Sequence, residues 1–253
     1  MALEIPLPRT ILTTAHWTIG RQKMAKSTGN VVNPFFAIDR FDPDIMRFYL
    51  THDGGISDDS DYDNAFIAKR YRTELQNNLG GLASRIVRGR GWNVRNVVKI
   101  YTSQGMEPWE GSYAKQRDLL EQTRDKVINH MKAMEASAAV KETLSMVHKT
   151  NVFLQHAQPW TSDPGKLGQM EDSPYRKERT IFLCAEALRF AAIMLQPVLP
   201  NYMATLLGML GVAKDKRSLK HVVFGLDHDY GQSTVYLGRG VEGALFPTLL
   251  VND

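Results

Sequence analysis

The sequence predicts a mainly α-helical protein: an antiparallel helix bundle preceded by a short extended strand and a polar loop. Three observations carry this expectation. From Asp63 onward, apolar residues recur three and four positions apart through several long runs, the spacing that lines one face of a helix. Those runs stop at Pro159, Pro197 and Gly211, residues that end helices or cap them. Ahead of residue 31 the only regular pattern is one extended segment, Thr10 to Ala15, with no partner strand in view.

Taken in order, the extended segment leads into a polar loop from Gly20 to Asn30. A lone strand is not stable in water, so residues 1–30 read as part of a larger fold. Residues 31–63 are loop-rich, with Asn33-Pro34 and Asp42-Pro43 as breakers and a short helix from Asp44 to Leu50. The five aspartates from Asp53 to Asp63 read as a solvated loop rather than a magnesium site, because no nucleotide-binding partner motif accompanies them. The first long helix carries Phe66, Ile67, Tyr71, Leu75, Leu79, Leu82 and Ile86 on its buried stripe. A connection containing Gly and Pro runs through Gly111. A second helix follows from Tyr113 through Val127, Met131 and Met134, then a third from near Ser137 to before Pro159, with Val140, Leu144, Val147 and Leu154 inward. The fourth spans about Tyr175 to Gln196 and the fifth Pro200 to Leu210, capped by Gly211. Leu245-Phe246-Pro247 is expected to dock back on the bundle.

Composition narrows the function classes. The 253 residues are 43% apolar, enough for a real core, and the net charge of +4 permits a polyanionic partner without requiring one. The single cysteine, Cys184, lies in an apolar run and excludes an internal disulfide framework or a cysteine-rich zinc site. No run approaches the roughly 20 apolar residues of a membrane span, and no targeting pattern is readable near Met1. The histidines show neither metal spacing nor a nucleophile partner, so no metal site and no catalytic histidine is expected.

Two regions carry chemistry. Lys23-Met24-Ala25-Lys26-Ser27 puts two ammonium groups three residues apart, followed by a hydroxyl and Gly29, in a loop after a strand. Such a loop can meet charge developing on phosphate oxygens, with Ser27 and main-chain N–H groups donating to the same atoms. The pentad alone reads first as a solvated basic loop. Between Lys69 and Lys99 stand eight basic residues against one acid, Glu74. Asn78, Gly81, Arg85 and Arg88 share a helix face away from the apolar stripe. Gly80 and Gly81 each cost about 1 kcal/mol in mid-helix, which implies close approach of another backbone or of a nucleotide. Unpaired RNA bases are read by stacking on aromatic or guanidinium planes; Arg85 offers the second kind, and Trp160, on a rigid turn after Pro159, the first. Without context Trp160 reads as core packing.

The flanks resolve these readings toward one family. Lys23 to Ser27, followed by Gly29-Asn30-Val31-Val32-Asn33-Pro34 and then Asp42 to Leu50, resembles the signature loop and connective region of methionyl-tRNA synthetases, which are class I aminoacyl-tRNA synthetases. Pro6-Leu7-Pro8 through His16-Trp17 is similar to the last strand of that family's nucleotide-binding fold. Asn77 to Arg85 resembles its first anticodon-reading helix, and Asn151 through Trp160 its second segment. The resemblance implies an anticodon-binding bundle over 64–253, a stem-contact region over 31–63, and over 1–30 a remnant of the α/β nucleotide-binding domain. It implies ATP-dependent methionine activation, with Mg2+, and transfer to methionine tRNA. Lys23 and Lys26 match the catalytic lysines, Ser27 would join them on ATP, and Asn78, Arg85 and Trp160 would bind the anticodon.

Two departures stand out. Ala25 replaces the usual serine, predicting some loss of loop ordering, and Gly81 replaces an asparagine that bonds a base edge, a loss Asn78 could cover. The family's H-x-G-H-type motif does not occur in these residues, so this chain alone is expected to be inactive in activation and to work with a separate N-terminal catalytic half. A stand-alone tRNA-binding module or an inactive truncated fragment is the alternative. The bundle is most like the mitochondrial branch, which implies the matrix, with the cytoplasm as the other location.

Overall fold

Asn33-Pro34 and Asp42-Pro43 do more than interrupt the chain; each opens a helix. The Asn33 side chain accepts from Phe35 N (3.0 Å) to start α1 (Pro34–Phe41), and Asp42 accepts from Asp44 N (2.8 Å) to start α2 (Pro43–Asp53). In both, proline takes the first helical position, where its missing N–H costs nothing. The computed structural model describes residues 7–56, 58–104, 109–161, 175–238 and 243–249.

The predicted strand is displaced and it has partners. Residues 10–15 are irregular, with Leu7, Ile11 and Leu12 open to solvent. The strand is β1 (Trp17–Ile19), paired antiparallel to β2 (Gln22–Lys23) and parallel to β3 (Ser60–Asp61). The aspartate stretch therefore supplies the missing partner at Ser60–Asp61, while Asp58, Asp59 and Asp63 stay solvent-exposed as expected. Its carboxylates are spent on structure: Asp59 accepts from His16 N (2.8 Å), and Asp61 accepts from Thr18 Oγ1 (2.8 Å) and Arg21 N (3.2 Å). Asp63 caps the next helix through Ala65 N (2.6 Å). Asp53 sits between His52 Nδ1 (2.7 Å) and the Arg70 guanidinium (2.9 Å).

The first long helix is continuous from Asn64 to Val87 but changes winding. It runs as α3 (Asn64–Arg70), then as a wider π-helical stretch (Tyr71–Gly80), then as α4 (Gly81–Val87). The buried residues Ile67, Tyr71, Leu75, Leu79 and Ala83 are each four apart. In an α-helix such a row drifts about 40° per step around the axis, so wider winding keeps it on the core. Phe66, expected inward, is half exposed, as are Met131 and Met134.

The segment expected as a plain connection holds α5 (Val94–Gln104), whose Val94, Val97 and Val98 are buried. α6 (Gly111–Lys132) and α7 (Ala136–Ala157) form a hairpin, and both pack on α8 (Arg176–Leu195). Every residue of α8 from Thr180 to Ile193 is buried, because α4, α5, α6, α7 and α9 (Pro200–Met209) surround it. Cys184 is in this core, and burial raises its thiol pKa. α9 ends on Gly211, left-handed at φ 69°, with Val212 N bonded to Leu207 O (2.9 Å) and Gly211 N to Gly208 O (3.0 Å). Its start is capped from another helix: the buried Asp44 carboxylate accepts from Asn201 N (2.7 Å), tying α2 to the bundle.

Glu186 and Arg189 are the charged pair inside α8, both fully buried. Arg189 forks onto the carboxylate with two 2.7 Å bonds and also donates to His221 O (2.6 Å) and Val223 O (2.8 Å), while Gly225 N donates to Glu186 (2.8 Å). The pair thus holds the chain beyond α9 against the core. Phe246 docks as expected, stacked on Tyr202 with centroids 4.8 Å apart, and Tyr71 donates to Pro247 O (2.6 Å).

Candidate nucleic-acid interface

The basic loop is a closed structure. Gly20 and Arg21 both take positive φ (57° and 64°), forming the two-residue turn that joins β1 to β2. Beyond Lys23 the chain is pinned by a bridge between Ala25 and Asn30, by Thr28 N and Oγ1 on Ala25 O (3.2 and 2.9 Å), and by Asn30 Nδ2 on Gln22 O (3.3 Å). Gly29, at φ 68°, closes the tight turn Lys26–Thr28. Ala25 serves this framework through its main chain alone, and the serine hydroxyl it lacks is not needed to close the loop. Lys23, Lys26 and Ser27 are all exposed on it, and neither lysine has a carboxylate partner among the described residues.

In the long helix, Asn78 lies in the wide-wound stretch and Arg85 one α-helical segment on. Asn78 Nδ2 donates to Leu144 O (3.1 Å), and its two oxygens accept from Asn151 Nδ2 (2.9 and 3.0 Å). Asn151 Oδ1 then accepts from the Arg85 guanidinium, whose Nε donates back to Gly81 O (3.2 Å). Partial burial lowers the Arg85 pKa, with Cys184 opposing; the group stays charged. A Cβ on Gly81 would meet only Arg85, at 4.0 Å, so nothing there demands glycine, whereas one on Gly80 would sit 3.1 Å from the Phe246 ring. The close approach anticipated for both glycines holds for Gly80 alone, where the Leu75 main-chain oxygen and the Phe246 ring both stand 3.1 Å from the Cβ position.

Trp160 is presented by a clamped turn. α7 ends in Gln158 at φ 41°, Pro159 is buried, and Trp160 is 51% exposed. Arg176 donates to Ala157 O (2.5 Å), Gln158 O (3.4 Å) and Thr161 O (2.8 Å), fixing the turn from the start of α8. Trp160 and Arg85 line one cleft of about 1000 Å³, together with Arg88, Arg90 and Trp92. Trp92 is locked there, its Nε1 on Ile86 O (2.9 Å) and its ring so close to Gly89 that a Cβ would lie 2.4 Å from it. Asn78 is not part of this cleft; it borders a separate one of about 440 Å³ with His52, Lys141 and His148.

The structure therefore brings Arg85 and Trp160 together and leaves Asn78 behind them, joined to Arg85 through Asn151. Asn151 and Arg176 were not singled out from sequence. Asn151 sits at the start of the quoted Asn151–Trp160 segment, and its place among inward residues of its helix was a usable signal; Arg176 gave none. Much of the basic excess is also committed elsewhere, since Arg70 pairs with Asp53 and Arg95 donates to His228 O (2.8 Å) and Tyr230 O (3.2 Å). Among the described residues no group of three or more His, Cys, Asp or Glu is placed to hold a metal, and no helix is long and apolar enough to cross a membrane.

A signature loop on a small sheet, joined to helices that shape a basic aromatic cleft, defines a class: residues 1–87 match the family described as tRNA synthetases class I (M). The whole chain is 37% identical to the probable mitochondrial methionine–tRNA ligase of Neurospora crassa, covering 40% of that protein. It is 32% identical to the mitochondrial methionine–tRNA ligase of Takifugu rubripes over 97% of this chain and 42% of that one. The bacterial methionine–tRNA ligase of Rickettsia prowazekii is 30% identical over 88% of this chain and 42% of its own. The chain is thus similar to methionine–tRNA ligases over most or all of its length and spans about two fifths of the length of these relatives. The crystal structure of Mycobacterium tuberculosis methionyl-tRNA synthetase bound by methionyl-adenylate shares the fold, with a TM-score of 0.73 over 96% of this chain and 45% of that one at 22% identity.

Proposed function

We propose that this chain is the portion of a methionine–tRNA ligase that carries the ATP loop and the anticodon-reading surface. One observation carries the reading most: Arg85 in α4 and Trp160 on the turn after α7 converge on a single cleft whose other walls include Arg88 and Arg90. Guanidinium groups neutralise phosphates, and the exposed indole offers a stacking plane for an unpaired base. Asn78 and Asn151 act behind them, holding Arg85 in place. The activity is ATP-dependent joining of methionine to tRNA. Lys23, Lys26 and Ser27 stand where they can meet triphosphate oxygens, with Mg2+ sharing that charge. The division into nucleotide-binding, stem-contact and anticodon-binding parts at residues 30 and 63 follows, as does partnership with a separate catalytic half. The mitochondrial relatives favour the matrix.

Binding of the chain to methionine tRNA is the test, at two salt concentrations, with native and substituted anticodons. A preference for the native anticodon that Arg85→Ala and Trp160→Ala both abolish, while salt-sensitive background binding persists, is the expected result. Equal binding to both tRNAs would refute the anticodon reading and leave a general RNA-binding module.

A further inference from the structure

The smaller cleft, beside Asn78, has no part in the reading above, yet it lies on the way between the two sites that reading uses. Along the long helix, Asn64 follows β3 on the sheet that carries the basic loop, Thr73 and Asn78 border the smaller cleft, and Arg85 lines the larger one. Asn78 and Arg85 are seven residues apart, about 10 Å along a helix. Asn151 of α7 bonds both of them and so links the borders of the two clefts.

The opposite wall of the smaller cleft comes from α7. Lys141, Ser145 and His148 stand there at i, i+4 and i+7, on one helix face, and none of the three side chains has a partner among the described residues. Neighbouring carboxylates are engaged elsewhere: Glu74, which also borders the cleft, stands 3.7 Å from Arg70, Asp53 is held by His52 and Arg70, and Glu142 by Lys126 (2.9 Å). Lys141 is therefore an exposed ammonium group with its charge uncommitted among the described residues. Leu144 is the only apolar side chain among the described residues bordering the cleft, so the site suits a hydrated, charged surface rather than a base ring.

We infer that this cleft seats the backbone of the base-paired stem that carries the anticodon loop, with Lys141 on a phosphate and Ser145 and His148 donating to phosphate or 2′-hydroxyl oxygens. This rests on the larger cleft taking the unpaired loop, since the RNA that continues from there toward the ATP loop is then duplex. Duplex RNA is gripped by its phosphates and 2′-hydroxyls rather than its bases, so these residues set affinity and orientation and not anticodon choice.

The experiment measures binding of the full chain to a hairpin RNA bearing the methionine tRNA anticodon loop, with its complete stem or cut back to the loop and its closing base pairs, between about 50 and 200 mM salt. Each phosphate contact adds about 0.7–0.9 to the slope of log affinity against log salt, so Lys141→Ala should lose roughly threefold less affinity than the parent across that range. Lys141→Arg should follow the parent. The preference for the native over a substituted anticodon should be the same in Lys141→Ala as in the parent, and the Lys141→Ala penalty should vanish on the cut-back hairpin. A parental salt slope in Lys141→Ala, or a penalty equal on both hairpins, overturns the inference. If Trp160→Ala still abolishes the anticodon preference in that case, only the stem contact is lost; if it too has no effect, the RNA reading of the larger cleft is lost as well.

Discussion

Removing Glu186 should unfold the protein at markedly lower denaturant, because it strands a guanidinium in the core. Burial alone would lower the Arg189 pKa, but the Glu186 charge and hydrogen bonds overcome it and push the value above the usual arginine range. A guanidinium is too basic to lose its proton even when buried, so Arg189 stays charged when its partner is removed. Taking one member from a buried pair costs about 3–5 kcal/mol, and for a domain near this size each kcal/mol moves Tm by about 2–4 °C. Glu186→Ala is thus expected to melt roughly 6–20 °C below the parent, with a matching loss in urea unfolding. The double variant Glu186→Leu/Arg189→Met leaves three main-chain groups, at His221, Val223 and Gly225, to find other partners, so it is not neutral. It should still be less destabilised than the sum of the two single variants by about 2–3 kcal/mol. Additivity within about 0.5 kcal/mol would show that the two side chains do not act as a unit and would refute the argument.

Asn151→Ala should leave the Arg85 guanidinium without its cross-helix acceptor and cost about 1–2 kcal/mol of anticodon binding, measured with the same RNA hairpin. Arg176→Ala releases three carbonyls of the Trp160 turn; a stability loss of about 2 kcal/mol by thermal melting and RNA binding nearly as weak as in Trp160→Ala are the expected outcomes. Burial acts to raise the Asp53 carboxyl pKa, but hydrogen bonds from His52 and Arg70 hold it below its ordinary value. A depressed carboxyl stabilises the fold above the unfolded-state pKa and loses that contribution as pH falls through the folded one. Asp53→Asn should accordingly cost about 1–2 kcal/mol at neutral pH, and urea melts should show the gap to the parent closing below about pH 4.

The long helices were legible because their boundaries are written in residue types. Pro159, Pro197, Pro200 and Gly211 mark ends that agree within a residue or two with those of α7, α8 and α9. α5 was hidden by the glycines around it, although Val94, Val97 and Val98 already had helical spacing. α1 was hidden because Asn33-Pro34 signals a break and a helix start equally well. Contacts across the chain were beyond sequence reasoning. Nothing near residue 60 announces that Ser60 and Asp61 pair with Trp17 and Thr18, so the aspartates read as solvent-facing. The site was legible where a motif or an aromatic after a helix end singled out residues, as with Lys23, Lys26 and Trp160. Its geometry was not, because whether Asn78 points into a cleft or onto Asn151 depends on the winding of its helix.

That winding makes the helix a phase adjuster between its two ends. Because successive α-helical residues turn by about 100°, deleting one residue between Tyr71 and Gly80 would let the stretch relax to ordinary winding. The segment beyond would then rotate relative to Ile67, carrying Arg85 away from Asn151 and Leu82 away from the core. Deletions are commonly absorbed in loops, yet here a helix interior has the spare residue, and its removal would shorten the chain by one position while re-aiming an entire face.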